Sequence, residues 1–377
     1  MSTPLRLSRS IVGQAEAEAV SRVIIEDGYL GMGSEVKRFE EDIAAFLGVP
    51  ANHVITANTG TAALHLAVQA AVEPGREVLV QSLTFVASFQ AISAAGAVPV
   101  ACEVRPETCT IDLDDAARRL TDKTAAIMPV HYASNPAYLD DVYAFAQRHG
   151  LRVIEDAAHA FGCRHDGRLV GTFGDIACFS FDGIKNITSG EGGCIVTADQ
   201  TVAQRCRDAR LLSVENDTEK RFTGQRSWDF DVTRQGWRYH MSNLMAAIGR
   251  VQLSRLPGEF GPARKALAAI YREELAGVPG VTLFATRPED DIIPHIFVVR
   301  IDAARRDAVK EVLAAAGVPT GMHYKPAHLL SFYGGGRTCL PVTEALYHEI
   351  VTLPLHPGIT AEEVRVICAE LRKALAA

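Results

Sequence analysis

No two cysteines in this chain form a Cys-x-x-Cys pair. The eight that occur (Cys102, Cys109, Cys163, Cys178, Cys194, Cys206, Cys339 and Cys368) are scattered, most of them in apolar runs. That spacing argues against a zinc site and for reduced core thiols in a cytoplasmic protein. A basic run is also missing, and the net charge of −7 over 377 residues speaks against a nucleic-acid partner. No apolar run reaches the roughly 18 residues needed to cross a bilayer, so no membrane span is expected. Met1 to Ser10 lacks the hydrophobic centre of a signal peptide. What remains is an ordinary globular composition, 48% hydrophobic and 22% charged, in a chain too long for one comfortable core.

Strands and helices alternate along the first two thirds. Strand-like runs at 54–57, 77–80, 98–103, 125–130, 153–155, 175–181 and 194–197 are interleaved with helical spacing at 35–47, 62–71, 85–95 and 139–149. This rhythm predicts an α/β fold with a mainly parallel sheet flanked by helices. Ser34 is expected to cap the helix at 35–47. A helix at 244–256 is expected to break at Pro257 to Pro262. Beyond the break, helices at 263–275, 302–316 and 361–376 with a strand at 296–301 predict a smaller α+β domain. The domains are thus read as 1–257 and 258–377. Glu215 to Trp237 is polar and aperiodic, a long excursion.

The chemistry centres on Phe179-Ser-Phe-Asp-Gly-Ile-Lys185, which runs on to Gly190-Glu-Gly-Gly193. A lysine on a turn is most often a solvated charge. Here it stands among small and hydroxyl residues, and the glycines let the backbone pass close to something bulky. Ser180 alternates with Phe179 and Phe181, so it faces away from the apolar side of a short strand. A crowded, desolvated lysine can lose its proton and attack a carbonyl.

Leu151 to Glu155 reads as a buried strand that delivers Asp156 to its carboxyl end, where open α/β sheets bind ligands. Taken alone, Asp156 is as well explained as a helix cap. With Lys185 it completes a pair. Pyridoxal phosphate needs a lysine for its aldehyde and a carboxylate for its pyridine nitrogen. The strand 54–57, the turn Asn58-Thr-Gly-Thr61 and a helix from Ala62 supply a third part. Backbone N–H groups at Gly60, Thr61 and Ala62, with the helix dipole, make a phosphate cradle.

These motifs, with Glu155-Asp-Ala-Ala-His159 and Tyr239-His-Met-Ser-Asn243, resemble those of the fold-type I, pyridoxal-phosphate-dependent sugar aminotransferases. That family makes amino sugars for antibiotics and surface polysaccharides such as lipopolysaccharide O-antigen. The likeness runs from about Gly28 to Glu363. It implies the pyridoxal-phosphate transferase type I fold and a homodimer with shared active sites. Lys185 and Asp156 become the catalytic pair, and Ser180 and Thr61 grip the phosphate. The resemblance sets Phe85 against the pyridine ring and His159 on the ring or its hydroxyl. It also implies that Arg238 reaches the phosphate of the other subunit, where the family often has asparagine. His323, Tyr324 and His328, in a His-Tyr-x-Pro-x-His run, become substrate-binding. Pro326 prevents the regular helix that would align these histidines as metal ligands. L-glutamate is the implied amino donor, and a nucleotide-linked 4-keto-6-deoxy sugar the implied acceptor. A sugar without a nucleotide, such as an octulosonate, remains an alternative.

Other classes fit less well. A nicotinamide dehydrogenase needs G-x-G-x-x-G after its first strand, and the turn here lacks it. A related sugar dehydratase carries histidine in place of Lys185. A non-catalytic, cofactor-binding regulator would not need the intact lysine and aspartate. His131, at the end of the strand 125–130, reads as a satisfied loop histidine.

Overall fold

A computed structural model describes residues 4–376. After helix α1 (Gln14–Arg22) and α2 (Ser34–Leu47), the chain enters the alternation read from the sequence. It runs β1 (Val54–Ala57), α3 (Gly60–Ala71), β2 (Glu77–Gln81), α4 (Ala87–Ala94), β3 (Val98–Cys102), α5 (Leu113–Arg118), β4 (Thr124–Met128), α6 (Leu139–His149) and β5 (Arg152–Asp156). A short hairpin, β6 (Arg164–His165) and β7 (Arg168–Leu169), precedes β8 (Ile176–Ser180) and β9 (Gly193–Thr197). Then come α7 (Gln200–Ala209), α8 (Asp217–Phe222) and α9 (Asn243–Arg255).

Seven strands form one sheet in the order β1-β9-β8-β5-β4-β2-β3. All pairs are parallel except those made by β9, which runs antiparallel to both neighbours. Helices cover both faces. One layer joins Leu64, Leu66 and Val68 of α3 with Val202 and Cys206 of α7. The other joins Val36, Phe39 and Ile43 of α2 with Ala246 and Leu253 of α9. Phe161, Phe179 and Phe181 meet there edge to face, with ring centres 5.1 and 5.3 Å from Phe161. Contacts of this kind add about 0.5–1.5 kcal/mol each beyond their buried area.

A buried ion pair ties this layer to the strand before the α3 turn. Arg210 Nη1 lies 2.6 Å from Glu40 Oε1, and the same carboxylate accepts from the backbone N–H and hydroxyl of Thr56. Both side chains are almost fully enclosed.

The rest of the chain builds a second sheet. It holds α10 (Gly261–Leu275), β10 (Val281–Leu283), β11 (Phe297–Ile301), α11 (Ala303–Ala315), α12 (Pro341–Glu349), β12 (Ile350–Leu353) and α13 (Ala361–Ala376). Three antiparallel strands, in the order β10-β11-β12, pack on α10, α11 and α13. Among the described residues no helix is long and apolar enough to cross a membrane. The eight cysteines are unpaired, and all but Cys339 are buried.

Several expectations need correction. Gly33, not Ser34, precedes α2, and Ser34 is its first residue. The helix expected from Phe85 starts at Ala87. The chain does not break at Pro257 to Pro262. A π-helical turn, Leu256–Phe260, leads straight into α10. Each proline sits at the start of its segment, where a missing N–H costs nothing. The excursion 215–237 contains the one short helix α8. Leu5 packs with the second core, and Leu355 N–H donates to Leu7 C=O.

Candidate active site

Strand ends define the site. β1, β5 and β8 deliver their carboxyl ends to one edge, and β9, running the other way, begins there. The register aligns Ala57 and Ser180 with Gly193. The fit at this edge is tight. A Cβ on Gly193 would lie 2.7 Å from Gly60 Cα and from the carbonyl oxygens of Thr59 and Phe179. A Cβ on Gly60 would lie 2.7 Å from Ser180 Cβ. Above this edge opens a cavity of about 610 Å³, lined by Gly60, Thr61, Phe85, Asp156, His159, Ser180, Lys185, His323 and Tyr324, among others.

Lys185 lies on the β8–β9 loop and is only partly exposed. Burial pushes its amine down to about 8, against the pull of Asp182 and Asp156. Its Nζ lies 3.4 Å from His295 Nε2. An amine with that proton affinity is partly free at neutral pH, as a nucleophile requires.

Asp156 ends β5 and is 5% exposed. Ser88 Oγ donates to its Oδ2 at 2.6 Å, and Ala158 N–H donates to its Oδ1 at 3.2 Å. Burial raises this carboxyl above its usual value, while Ser88, Ala158 and the Lys185 charge pull it back. A cation against it would hold it ionised.

The turn leads directly into α3, and the Ala62 N–H expected in the cradle is taken by the cap. Thr59 caps α3, with its Oγ1 accepting from Ala62 N–H at 3.0 Å. Ala63 N–H reaches Thr59 C=O. As the first two residues of the helix, Gly60 and Thr61 have no intrahelical acceptor for their N–H groups. Both line the cavity, with Ser180 across from Gly60. Ala62 itself is buried and off the cavity wall.

The remaining residues divide. Phe85 is 54% exposed, and its ring lies 5.5 Å from that of Tyr324. Tyr324 Oη meets His159 Nε2 at 3.0 Å. Burial and the Lys185 charge keep His159 neutral. His323 lines the cavity and touches Thr352 Oγ1 through Nδ1 at 2.8 Å. His328 does not face the cavity, contrary to expectation. It is 1% exposed, held between Ser82 Oγ at 2.7 Å and Glu344 Oε1 at 3.2 Å. Arg238 stands exposed and outside this cavity. His131 is a satisfied histidine, its Nε2 2.8 Å from Glu155.

Three functional neighbours escaped the sequence reading. Ser88 and His295 left no pattern to find. Arg264 did leave one. It sits on the buried stripe of α10 with Leu267, Ala268, Tyr271 and Leu275. A charge at a core position of a helix is a signal.

The donors present suit pyridoxal phosphate: a lysine of lowered proton affinity for the aldehyde, a buried carboxylate for the ring nitrogen, and free helix N–H groups for the phosphate. Comparison with known proteins agrees. The chain is 36% identical to the dTDP-4-dehydro-2,3,6-trideoxy-D-glucose 4-aminotransferase of Saccharopolyspora spinosa, over 98% of this chain and 97% of that one. Its fold matches the aminotransferase TlmJ of Streptoalloteichus hindustanus with a TM-score of 0.91, 34% identity and 99% of each chain covered. A Streptococcus pneumoniae protein solved in its pyridoxal-phosphate form matches with a TM-score of 0.90 at 25% identity, over 99% of this chain and 98% of that one. Residues 11–372 match the model of the DegT/DnrJ/EryC1/StrS aminotransferase family. The chain belongs to that family, and it is a sugar aminotransferase whose cofactor is pyridoxal phosphate.

Proposed function

We propose that this enzyme moves an amino group from L-glutamate to C4 of a nucleotide-linked 4-keto-6-deoxy sugar, as a cytoplasmic homodimer with shared active sites. The observation that carries the chemistry is the meeting of Lys185 and Asp156 on one cavity. Support for the sugar comes from the relative that acts on a dTDP-linked 4-dehydro sugar. Glutamate is the donor the sequence resemblance implies.

When bound, pyridoxal phosphate supplies an electron sink for the carbon that loses its proton. Asp156, kept ionised, holds a proton on the ring nitrogen. Lys185 would bind the cofactor's aldehyde and, when its amine is free, would take the proton from the donor's α-carbon as a general base. Ser180 Oγ and the amides of Gly60 and Thr61 bind the phosphate. Phe85 and His159 would hold the ring, and His323 and Tyr324 line the same cavity, where they would meet the sugar.

Charge supports the dimer. The cavity carries Asp156, Asp182 and Glu191 but only one lysine or arginine, Lys185. A phosphate and a dicarboxylic donor need more positive charge than that. Arg238, exposed beyond the long excursion, supplies it from a second copy. Val12, Ile24 and Ile25 are exposed around an apolar cavity that also includes Thr188 and Gly190 of the lysine loop. Such a patch, beside the active site, suits a second copy.

Two measurements test this reading. Given glutamate and a panel of keto-sugars, the enzyme is expected to aminate dTDP-4-keto-6-deoxy sugars, with the amine found by mass spectrometry. Amination confined to nucleotide-free sugars refutes the substrate. The second mixes two damaged enzymes. Arg238→Ala alone should weaken cofactor binding about 10-fold, the worth of one charge-assisted hydrogen bond. Lys185→Ala and Arg238→Ala subunits, exchanged together, give heterodimers with one doubly damaged site and one native site. Activity should return to about a quarter of wild type for random pairing. Mixing that restores nothing, with exchange verified by mass, rules out sharing through Arg238.

A further inference from the structure

The small unit reaches the amine of Lys185 through the side chain of His295, which lies just before β11. Its Nε2 is the atom 3.4 Å from Lys185 Nζ. The side chain is 2% exposed. Both backbones at this contact are tied down. Arg264, buried and without a carboxylate partner among the described residues, donates to the carbonyls of Pro294 and His295 through Nη1, at 3.2 and 3.1 Å. Its Nη2 donates to the carbonyls of Ile184 and Lys185, at 3.4 and 3.3 Å. Asn186 Nδ2 adds a second tie, donating to Ile293 C=O at 3.1 Å. His295 N–H donates to Ser134 Oγ at 2.8 Å. The lysine loop and the 293–295 segment are therefore held as one piece.

We propose that His295 is a positioning residue for Lys185, the fixed partner of its amine whenever that amine is free, with Arg264 setting the distance between them. The inference rests on Lys185 being the reactive amine.

The imidazole suits the task because it can hold either hydrogen-bonding role. The charged groups around the contact are Lys185 and Arg264, with Asp156 and Asp182 on the lysine's side and the neutral His159 and His323 near His295. Burial and the two cations keep His295 neutral. A neutral imidazole has one acceptor and one donor nitrogen, and a partner on Nδ1 would fix which is which. Nδ1 of His295 has no partner among the described residues. Nε2 can therefore accept from an ammonium or donate to a free amine. Lys185 alternates between those two states when it carries a proton during turnover, and water need not enter to satisfy either.

The test uses the full chain stripped of cofactor, so it reads the amine whether or not the cofactor chemistry holds. Brief labelling with acetic anhydride across pH 6 to 10, with Lys185 acetylation read by peptide mass spectrometry, gives the midpoint at which the amine is freed. Wild type should show a midpoint near 8. The ammonium gains more from the acceptor than the amine does, so His295→Leu should lower that midpoint by about one pH unit. His295→Gln, whose amide reaches the Nε2 position and can accept or donate, should keep the wild-type midpoint. In the loaded enzyme, His295→Leu should lower kcat about tenfold with KM for glutamate unchanged. His295→Phe serves the same arm if the leucine variant does not fold. An apolar variant that titrates like wild type overturns the proposal, as does a glutamine variant that shifts as far as the apolar one.

Discussion

Replacing Lys185 with alanine should lower transamination by about 10²- to 10⁴-fold, the range for loss of a general acid–base group. The protein should still fold, since the lysine makes no ion pair among the described residues and its loop is held by Arg264 and Asn186. Two signatures separate this from general damage. Wild-type enzyme with its cofactor should be yellow, and borohydride should fix the cofactor to the chain at Lys185, found by peptide mass spectrometry. In Lys185→Ala nothing should be fixed. A reduced cofactor found on another lysine of that variant would assign the anchor elsewhere.

Asp156→Asn is the second large effect, about 10²- to 10³-fold in kcat, the typical cost of losing one electrostatic partner of a reacting centre. An amide is almost the same size as a carboxylate: its oxygen can keep the Ala158 N–H, and its NH2 group can donate to the Ser88 hydroxyl. The fold and some cofactor binding should persist. What goes is the charge that keeps a proton on the ring nitrogen. Glutamate-driven bleaching of the yellow form, followed by stopped flow, should slow by that factor. Near-native bleaching would remove Asp156 from the chemistry.

The sheet and the centre of the site were legible because each rests on local pattern. Val54–Ala57 and Leu139–His149 are found where the apolar spacing puts them. The cavity likewise brings together Gly60, Thr61, Asp156, Ser180 and Lys185, each of which ends or follows a strand or opens a helix. The misses are of another kind. His328 shares a motif with His323 and Tyr324, but a spacing of five residues says nothing about which side faces in. Tertiary partners Ser82 and Glu344 decide that. The Pro257 break failed because proline forbids the interior of a helix but favours its first turn. Ser88 and His295 meet their partners across 68 and 110 residues of chain. No local pattern encodes such distances.

The antiparallel placement of β9 also sets a timetable for synthesis. β1 hydrogen-bonds to no other strand of the sheet, and its partner lies about 140 residues further on. At ribosomal speeds that interval is on the order of 10 s. Through it, the apolar Val54-Ile-Thr-Ala57 segment waits with both edges unpaired, a sticky template for other nascent chains. The phosphate turn that follows it cannot take its final place beside Ser180 until Gly193 has emerged. With the roles proposed for the turn and Lys185, the cofactor would be captured only after the lysine loop is complete, a late checkpoint on a correctly threaded sheet.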